Sequence, residues 1–183
     1  MASKTRLRAW LFVTLFLVAP AVLALSALDA IRKVALELGD SSAQYLLGHM
    51  YETGQDVKQN YNDAAKWYLS AAKQGHIDAQ LALANLYRDG HGVDQNYEIA
   101  QNWYQRAADK DIVEAIYQIG MLHKKGINNR PDIDKAMKFL NQAADKHHPL
   151  AQFQLGNIYY ERKGSKNRAL GRDWWTKAAR NGS

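Results

Sequence analysis

The feature that most constrains this chain is a short segment that occurs four times at a nearly fixed spacing. Its copies read KWYLSAAKQG at 66–75, NWYQRAADKD at 102–111, KFLNQAADKH at 138–147 and DWWTKAARNG at 173–182. Each copy places two large residues, usually aromatic, shortly before a pair of alanines. Repetition at a period of this length is typical of folds built by stacking one small unit on the next.

A second segment precedes each copy and completes a unit of about 36 residues. It opens at Ala43, Ala79, Ala115 and Ala151. Within each half of the unit, apolar residues recur at intervals of three and four, which is typical of an amphipathic helix. Glycines such as Gly54 and Gly90 follow the opening helix, where a left-handed residue can end it without strain. The pattern therefore predicts a repeated helix-turn-helix unit.

Small residues recur at one position of every opening helix and at two positions of every closing helix. The opening-helix set is Gly48, Ala84, Gly120 and Gly156. We expect the two helices of a unit to approach closely at these positions, because no long side chain separates them. Large side chains are then expected beside the contact, and the sequence suggests Trp67, Trp103, Phe139 and Trp174 for that role.

The unit resembles the Sel-1-like repeat, a relative of the tetratricopeptide repeat. The match is carried by Gly90-His91-Gly92-Val93 and by the run from Trp103 to Ala108. The resemblance implies an all-α, right-handed α/α solenoid of helix-turn-helix repeats, and the apolar run at the start of the sequence predicts an N-terminal hydrophobic helix before it. The expected organisation is a capping half-repeat helix at 28–40 and four repeats at about 41–76, 77–112, 113–148 and 149–183.

Residues 1–27 predict a signal anchor. Three cations precede an apolar run whose candidate anchoring residues are Trp10, Leu11, Phe12, Phe16, Leu17 and Pro20. About 20 helical residues can cross a hydrocarbon core of about 30 Å, and the cations favour a cytoplasmic N-terminus with periplasmic repeats. The alternative is a secretory signal that is cleaved after Ala24 or Ser26 and releases a soluble periplasmic protein.

Several classes of chemistry lack the residues they need. The chain has no cysteine, and residues 29–183 carry 21 basic and 18 acidic side chains, a balance too even for a nucleic-acid interface. His147 and His148 have no further ligand at helical spacing, and no glycine-rich phosphate loop is present. Asp132 and Asp134 are interpreted as residues that start a helix. We expect no catalytic site, metal, cofactor, small-molecule substrate or nucleic acid.

Candidate partner-binding residues lie on the opening helices and near the C-terminal end. On the opening helices, Arg88, Met121, Lys124 and Tyr160 fall away from the packing stripe and are expected to form rows along one face. Residues 111–183 hold 13 basic and 7 acidic side chains, so a basic surface could attract an acidic partner. The candidates in the last closing helix are Arg168, Arg172, Trp174, Trp175 and Lys177, its tryptophans having no further repeat in the sequence to cover them.

These patterns favour a non-catalytic protein-protein interaction scaffold. The expected role is an accessory or assembly subunit of a membrane or envelope complex in the bacterial inner membrane, attached through a single N-terminal helix and bound to protein partners. A soluble periplasmic regulator or adaptor is the first alternative. A cell-wall-active enzyme is the second, but the sequence offers no residues to carry out its reaction.

Overall fold

A computed structural model describes residues 27–127, 130–162 and 164–182 of the chain. Within these ranges the secondary structure is helical apart from one isolated bridge between Ile127 and Arg130. The helices are α1 (27–37), α2 (Ser41–Thr53), α3 (Tyr61–Lys73), α4 (Ile77–Asp89), α5 (Tyr97–Ala108), α6 (Val113–Lys125), α7 (Ile133–Asp145), α8 (Pro149–Glu161) and α9 (Ser165–Arg180). The all-α class expected from the sequence is confirmed.

The helix ends follow from local side-chain chemistry. Asn60 and Asn96 cap α3 and α5 by accepting hydrogen bonds from exposed backbone N–H groups in the first turn. Asp132 caps α7 in the same way, and Asp134 lies in its first turn, so both residues start a helix as predicted. Gly54 ends α2 with φ of 78°, a left-handed conformation that glycine adopts without strain.

The chain divides into two compact units, and the first ends at His76. In this unit α2 packs against α3, and Leu28 and Ala35 of α1 are buried with Leu47 and Met50 of α2. The buried Gln44 side chain donates to the Ala35 carbonyl at the end of α1 over 3.2 Å. A buried amide thus pairs a main-chain oxygen that would otherwise lack a partner in the core.

The second unit begins at Ile77 and contains α4 to α9, each packed against the next along the chain. One apolar cluster joins α4, α5 and α6 around Tyr104 and Ile119. A second cluster joins α6, α7 and α8 around Leu140 and Leu155. The same two-helix unit therefore recurs with a separate small core at each step, as expected for a stacked repeat fold.

The large side chain at the close helix contact is the one that follows the residue singled out in the sequence. A side chain at Gly48 would meet the Tyr68 ring, and one at Gly120 would meet Leu140. Tyr68, Tyr104 and Leu140 are fully buried, whereas the residue before each is half-buried. Because a helix turns about 100° per residue, adjacent positions face different neighbours. Trp67, Trp103, Phe139 and Trp174 consequently pack at the edges of the apolar clusters.

The predicted membrane anchor lies in the part of the chain that is not described. Trp10, Leu11, Phe12, Phe16, Leu17 and Pro20 all fall outside the described residues. Among the helices of the described residues, none combines the length and apolar character needed to cross a bilayer. The anchor and its cleaved alternative both stay predictions.

Candidate functional site

One polar face of the second unit combines several of the residues singled out in the sequence. We call it the row face, and its members on α4, α6 and α8 are Asn85, Arg88, Gln118, Met121, Lys124, Gln154, Asn157 and Tyr160. Seven of these residues are half-buried and Tyr160 is exposed. Arg88, Lys124 and Tyr160 occupy the same position of successive repeats, and so do Asn85, Met121 and Asn157.

Two side-chain bridges join the opening helices across the row face. The Arg88 guanidinium donates from Nη1 to Gln118 Oε1 over 2.9 Å and so links α4 to α6. The Lys124 ammonium donates from Nζ to Gln154 Oε1 over 2.7 Å and links α6 to α8. In both cases a cation bonds a glutamine 30 residues later, so the bridge repeats with the fold.

The polar tips of two aromatic rings reach the row face from the closing helices. Tyr104 is fully buried, and its hydroxyl donates to Asn85 Oδ1 over 2.5 Å while accepting from Arg88 Nη1 over 3.2 Å. Burial raises the pKa of Tyr104, which keeps the hydroxyl protonated as a donor. Trp175 Nε1 makes the corresponding bond to Asn157 Oδ1 over 3.0 Å.

Most N–H groups of the Arg88 guanidinium form hydrogen bonds within the protein. Besides Tyr104 and Gln118, it contacts both carboxylate oxygens of Asp89 through Nε and Nη2, at 2.9 and 2.7 Å. This hydrogen-bonded pair raises the pKa of Arg88 and lowers that of Asp89. These contacts use four of the five guanidinium N–H groups, so Arg88 mainly stabilises the row face and offers little to a partner.

Lys124, in contrast, has a single hydrogen bond in the part of the chain that the structure describes. Leu140 lies beneath this stretch of the row face and has no polar tip to reach it. Met121 is half-buried against the Leu140 cluster. The α6 portion of the row face is therefore the least tied to the core, and Lys124 keeps N–H groups for a partner.

The candidate residues of α9 are divided between two faces. Trp175 turns toward α8, with its ring 4.9 Å from that of Tyr160. Trp174 turns away and carries Lys177 Nζ at 4.2 Å over its ring. Trp174 and Lys177 line a cleft of about 370 Å³, together with Ala144, Asp145, His147, Gln152, Arg180 and Asn181. Arg168 and Arg172 are exposed on α9.

Two of the histidines, His123 and His148, act in packing and capping. His123 is buried with its ring centroid 5.6 Å from that of Phe139, and burial lowers its pKa. His148 caps α8 by accepting from Ala151, stacks on Tyr117 and contacts Glu114 through Nε2 at 3.0 Å. Across the described ranges, no group of three His, Asp or Glu side chains is arranged to hold a metal ion.

Sequence reasoning identified the cations of the row face but missed Gln118 and Gln154, the residues they bond. A regularity in the sequence could have found them, because the two glutamines are 36 residues apart and each follows a row cation by 30 residues. A side-chain bridge is hard to foresee from one sequence, since it depends on how far apart neighbouring helices lie.

Comparison with known proteins identifies the repeat. The Sel1 repeat family model matches residues 41–76, 77–112, 113–148 and 149–183. A solved structure of a Sel1 repeat protein from Oxalobacter formigenes is 31% identical with a TM-score of 0.75, covering 86% of this chain and 65% of that one. No curated protein matches the sequence significantly.

Two further solved structures are similar. The uropathogenic Escherichia coli protective antigen c5321, described as an SLR fold, is 30% identical with a TM-score of 0.75, over 85% of this chain and 33% of that one. The immunity protein Pa5087 from Pseudomonas aeruginosa is 27% identical with a TM-score of 0.54, over 78% and 53%. The chain thus spans between a third and two thirds of the length of these proteins.

Proposed function

Since this chain belongs to the Sel1 repeat family, whose members are generally protein-interaction scaffolds, we propose that it is a non-catalytic scaffold that binds its partner through the row face. The supporting observation is that the α6 portion of the row face is bonded less to the core than the rest of the face. Met121 lies between Gln118 and Lys124, which each form one of the two bridges, and neither Met121 nor Lys124 is bonded to a ring tip from the closing helix below. N–H groups left over beside an apolar side chain are features that docking surfaces share.

We propose further that the scaffold is an accessory or assembly subunit of a membrane or envelope complex. The support is sequence based: Lys4, Arg6 and Arg8 precede an apolar run of the length needed to cross a bilayer. Cations on this side retain the N-terminus in the cytoplasm and direct the repeats to the periplasm of a bacterium. Attachment would hold the repeats close to partners in the same membrane, which raises their effective concentration.

The test is co-purification in mild detergent, with identification of the proteins that stay bound. Met121→Ala and Lys124→Glu should together reduce the retained partner at least fivefold while the helical content stays unchanged. Lys138→Glu, on the exposed side of α7, serves as the matched charge control. Equal retention by both variants would show that the partner does not use the row face.

The basic surface of α9 is tested in the same experiment. Charge reversal at Arg168, Arg172 and Lys177 should weaken retention of an acidic partner more than reversal at Lys58 and Lys66 of the first unit. These five residues are all exposed, so the comparison does not perturb the core. Equal losses would mean that the excess of basic over acidic side chains in residues 111–183 has no part in binding.

A soluble periplasmic regulator is the second candidate, because Ala24 and Ser26 supply the small residues that a signal peptidase needs after an apolar run. Intact mass of the protein from the envelope fraction separates the two. A species that begins at Leu25 or Ala27 and is free of membrane would contradict the anchored subunit. A species that retains residues 1–24 in the membrane fraction would support it.

A further inference from the structure

The first helix, α1, exposes an apolar surface along one side. It ends 36 residues before α3 ends, so it corresponds to a closing helix of the repeat. Its residues Ala30, Val34 and Leu38 follow one another at intervals of four and therefore lie on one side of the helix. We call these three residues the α1 stripe. All three are exposed, Val34 by 37% and Leu38 by 75%.

The repeat pattern does not require the α1 stripe to be apolar. At the same positions of the first, second and third repeats the sequence holds Lys66, Ser70 and Gln74, then Asn102, Arg106 and Lys110, then Lys138, Gln142 and Lys146. The core does not require it either, because α1 is buried against α2 through Leu28 and Ala35. Exposed apolar residues that neither the core nor the repeat uses indicate a contact outside this unit.

A groove beside the α1 stripe extends the apolar surface onto α2. Its volume is about 310 Å³, and it is lined by Ala30, Ile31, Val34, Ser42, Ala43 and Leu46. Ser42 is the one lining residue with a polar side chain, and Leu46 is 42% exposed. The α1 stripe and the groove share Ala30 and Val34, so together they form one continuous apolar surface.

The rest of the exposed surface of α1 carries its charges. Asp29 Oδ1 and Arg32 Nη1 lie 3.9 Å apart, and Lys33 Nζ and Glu37 Oε2 are separated by the same distance. Two acidic and two basic side chains leave residues 27–37 without net charge. The helix is therefore amphipathic but neutral, so the surface that covers the α1 stripe is held by apolar contact and not by opposite charge.

The sequence places an apolar run directly before α1. No residue from Ala9 to Leu28 is charged, and about 20 residues are the length that crosses a hydrocarbon core of about 30 Å. In the proposed anchored state, the first turn of α1 therefore lies at the membrane boundary. Val34 and Leu38 are about 9 and 15 Å from Leu28 along the helix axis. Since the headgroup layer is about 5–7 Å deep, they contact lipid when α1 lies along the membrane surface.

We infer that α1 lies along the membrane surface and inserts the α1 stripe into the boundary between lipid headgroups and acyl chains. Aliphatic side chains on one side of a helix and charges on the other are typical of a helix in this position. Because α1 is neutral, the lipid needs no anionic headgroup. This inference rests on the proposed membrane attachment and adds to it that the folded first unit contacts lipid through its own surface.

The test uses the full chain reconstituted into phosphatidylcholine vesicles. Because the chain has no cysteine, one introduced cysteine can carry a fluorophore at a chosen position. Val34→Cys and Leu38→Cys place the fluorophore on the α1 stripe. Lys33→Cys, on the charged surface of α1, and Lys66→Cys, one period after Ala30, are exposed controls. A spin-labelled lipid should quench the fluorophore on the α1 stripe at least threefold more than at either control.

Lipid composition tests the neutrality of the contact. Quenching on the α1 stripe should be the same within a factor of two when phosphatidylglycerol is added to the vesicles or the salt concentration is raised to about 0.5 M, because salt screens charge and not apolar contact. An anionic lipid that is required for quenching would overturn the inference, since basic side chains would then hold the protein at the membrane.

Two substitutions separate the α1 stripe from general hydrophobicity. Leu38→Gln introduces the residue found one period later at Gln74, and Leu36→Gln removes an exposed leucine outside the α1 stripe and the groove. With the fluorophore at Leu46→Cys, Leu38→Gln should reduce quenching at least threefold, and Leu36→Gln should change it less than 1.5-fold. Both positions are exposed, so thermal unfolding should not distinguish the two variants.

Equal quenching on the α1 stripe and at Lys33→Cys overturns the inference, and so does equal loss of quenching in the two glutamine variants. Disulfide-linked dimers of Val34→Cys without quenching would show that a second copy covers the α1 stripe, which also overturns it. Absence of quenching in protein that floats with the vesicles overturns the inference and leaves the anchored subunit intact. Protein that does not float with the vesicles contradicts the proposed attachment as well.

Discussion

The second repeat, 77–112, and the third repeat, 113–148, differ in what lies beneath the row face. In the second, the Tyr104 hydroxyl reaches Asn85 and Arg88 from the core. In the third, Leu140 fills the same position and ends in carbon, beneath Met121 and Lys124. Both side chains are fully buried, so both repeats have a complete core.

The residue at this buried position therefore determines whether the polar side chains above it are bonded to the core or keep hydrogen-bonding groups for a partner. The second repeat uses its surface polar groups to satisfy a buried hydroxyl, because an unpaired one would cost free energy. The third repeat has no such group to satisfy, which leaves Lys124 with one partner inside the described chain. The tip of one buried side chain thus determines how many polar groups of the row face are bonded within the second and third repeats.

The largest expected effect separates the two adjacent large residues of the third repeat. Leu140→Ala should lower the free energy of unfolding by about 2–5 kcal/mol, because it empties a fully buried site. Phe139→Ala should cost less although it removes a larger side chain, since Phe139 is half-buried. Urea unfolding followed by circular dichroism measures both. A larger loss for Phe139→Ala would place the ring, not Leu140, at the contact with Gly120.

A smaller effect is expected from the hydroxyl in the second repeat. Tyr104→Phe should destabilise the protein by about 1–2 kcal/mol, because Asn85 and Arg88 lose a partner while the ring stays in place. Tyr97→Phe, at a half-buried ring on the same helix, is the control and should change stability by less than about 0.5 kcal/mol. The midpoint of urea unfolding is the measurement. Equal midpoints for the two variants would mean that the hydroxyl does not stabilise the second repeat.

The sequence predicts the repeated unit well because the unit depends on helical periodicity and small residues. The helical class, the family and the start of α7 at Asp132 are confirmed. The sequence does not show which of the two adjacent aromatic residues is fully buried, and in the structure it is Tyr104, whereas Trp103 is half-buried at the edge of the same cluster. The bonds of Arg88 and Lys124 to residues 30 positions later depend on the packing of separate helices, which local patterns do not encode.

The third repeat also differs by a titratable residue in its core. His123 takes the position held by Tyr87 in the second repeat, and burial lowers the pKa of His123. The folded state therefore binds fewer protons than the unfolded state near pH 6, so stability is full above the unfolded pKa of about 6.5 and falls as the pH drops below it. Lys135 nearby acts in the same direction, and Asp132 opposes it.

His123→Tyr should remove this part of the pH dependence and make the third repeat behave as the second does. We expect the difference in Tm between pH 7.5 and pH 5 to be smaller in the variant than in the unmodified chain. His76→Tyr, in the first unit, controls for the loss of a histidine that is half-exposed. If the variant and the unmodified chain lose the same Tm, the buried histidine is not the source of the acid sensitivity.

The last comparison is between the two row cations, and it includes the smallest expected effect on stability, that of Lys124→Met. Arg88→Met should cost about 1–2 kcal/mol, because Tyr104, Gln118 and Asp89 all lose a hydrogen bond to a charged group. Lys124→Met should change stability by less than about 0.5 kcal/mol, since it removes one bond to Gln154 and keeps the aliphatic stem. Thermal and urea unfolding of both variants measure the contrast. The same Lys124→Met variant should retain less of the co-purified partner, so a side chain that contributes little to folding would be the one that binding needs. Equal destabilisation by the two substitutions would show that Lys124 stabilises the third repeat as much as Arg88 stabilises the second. The row face would then serve only to hold the helices together.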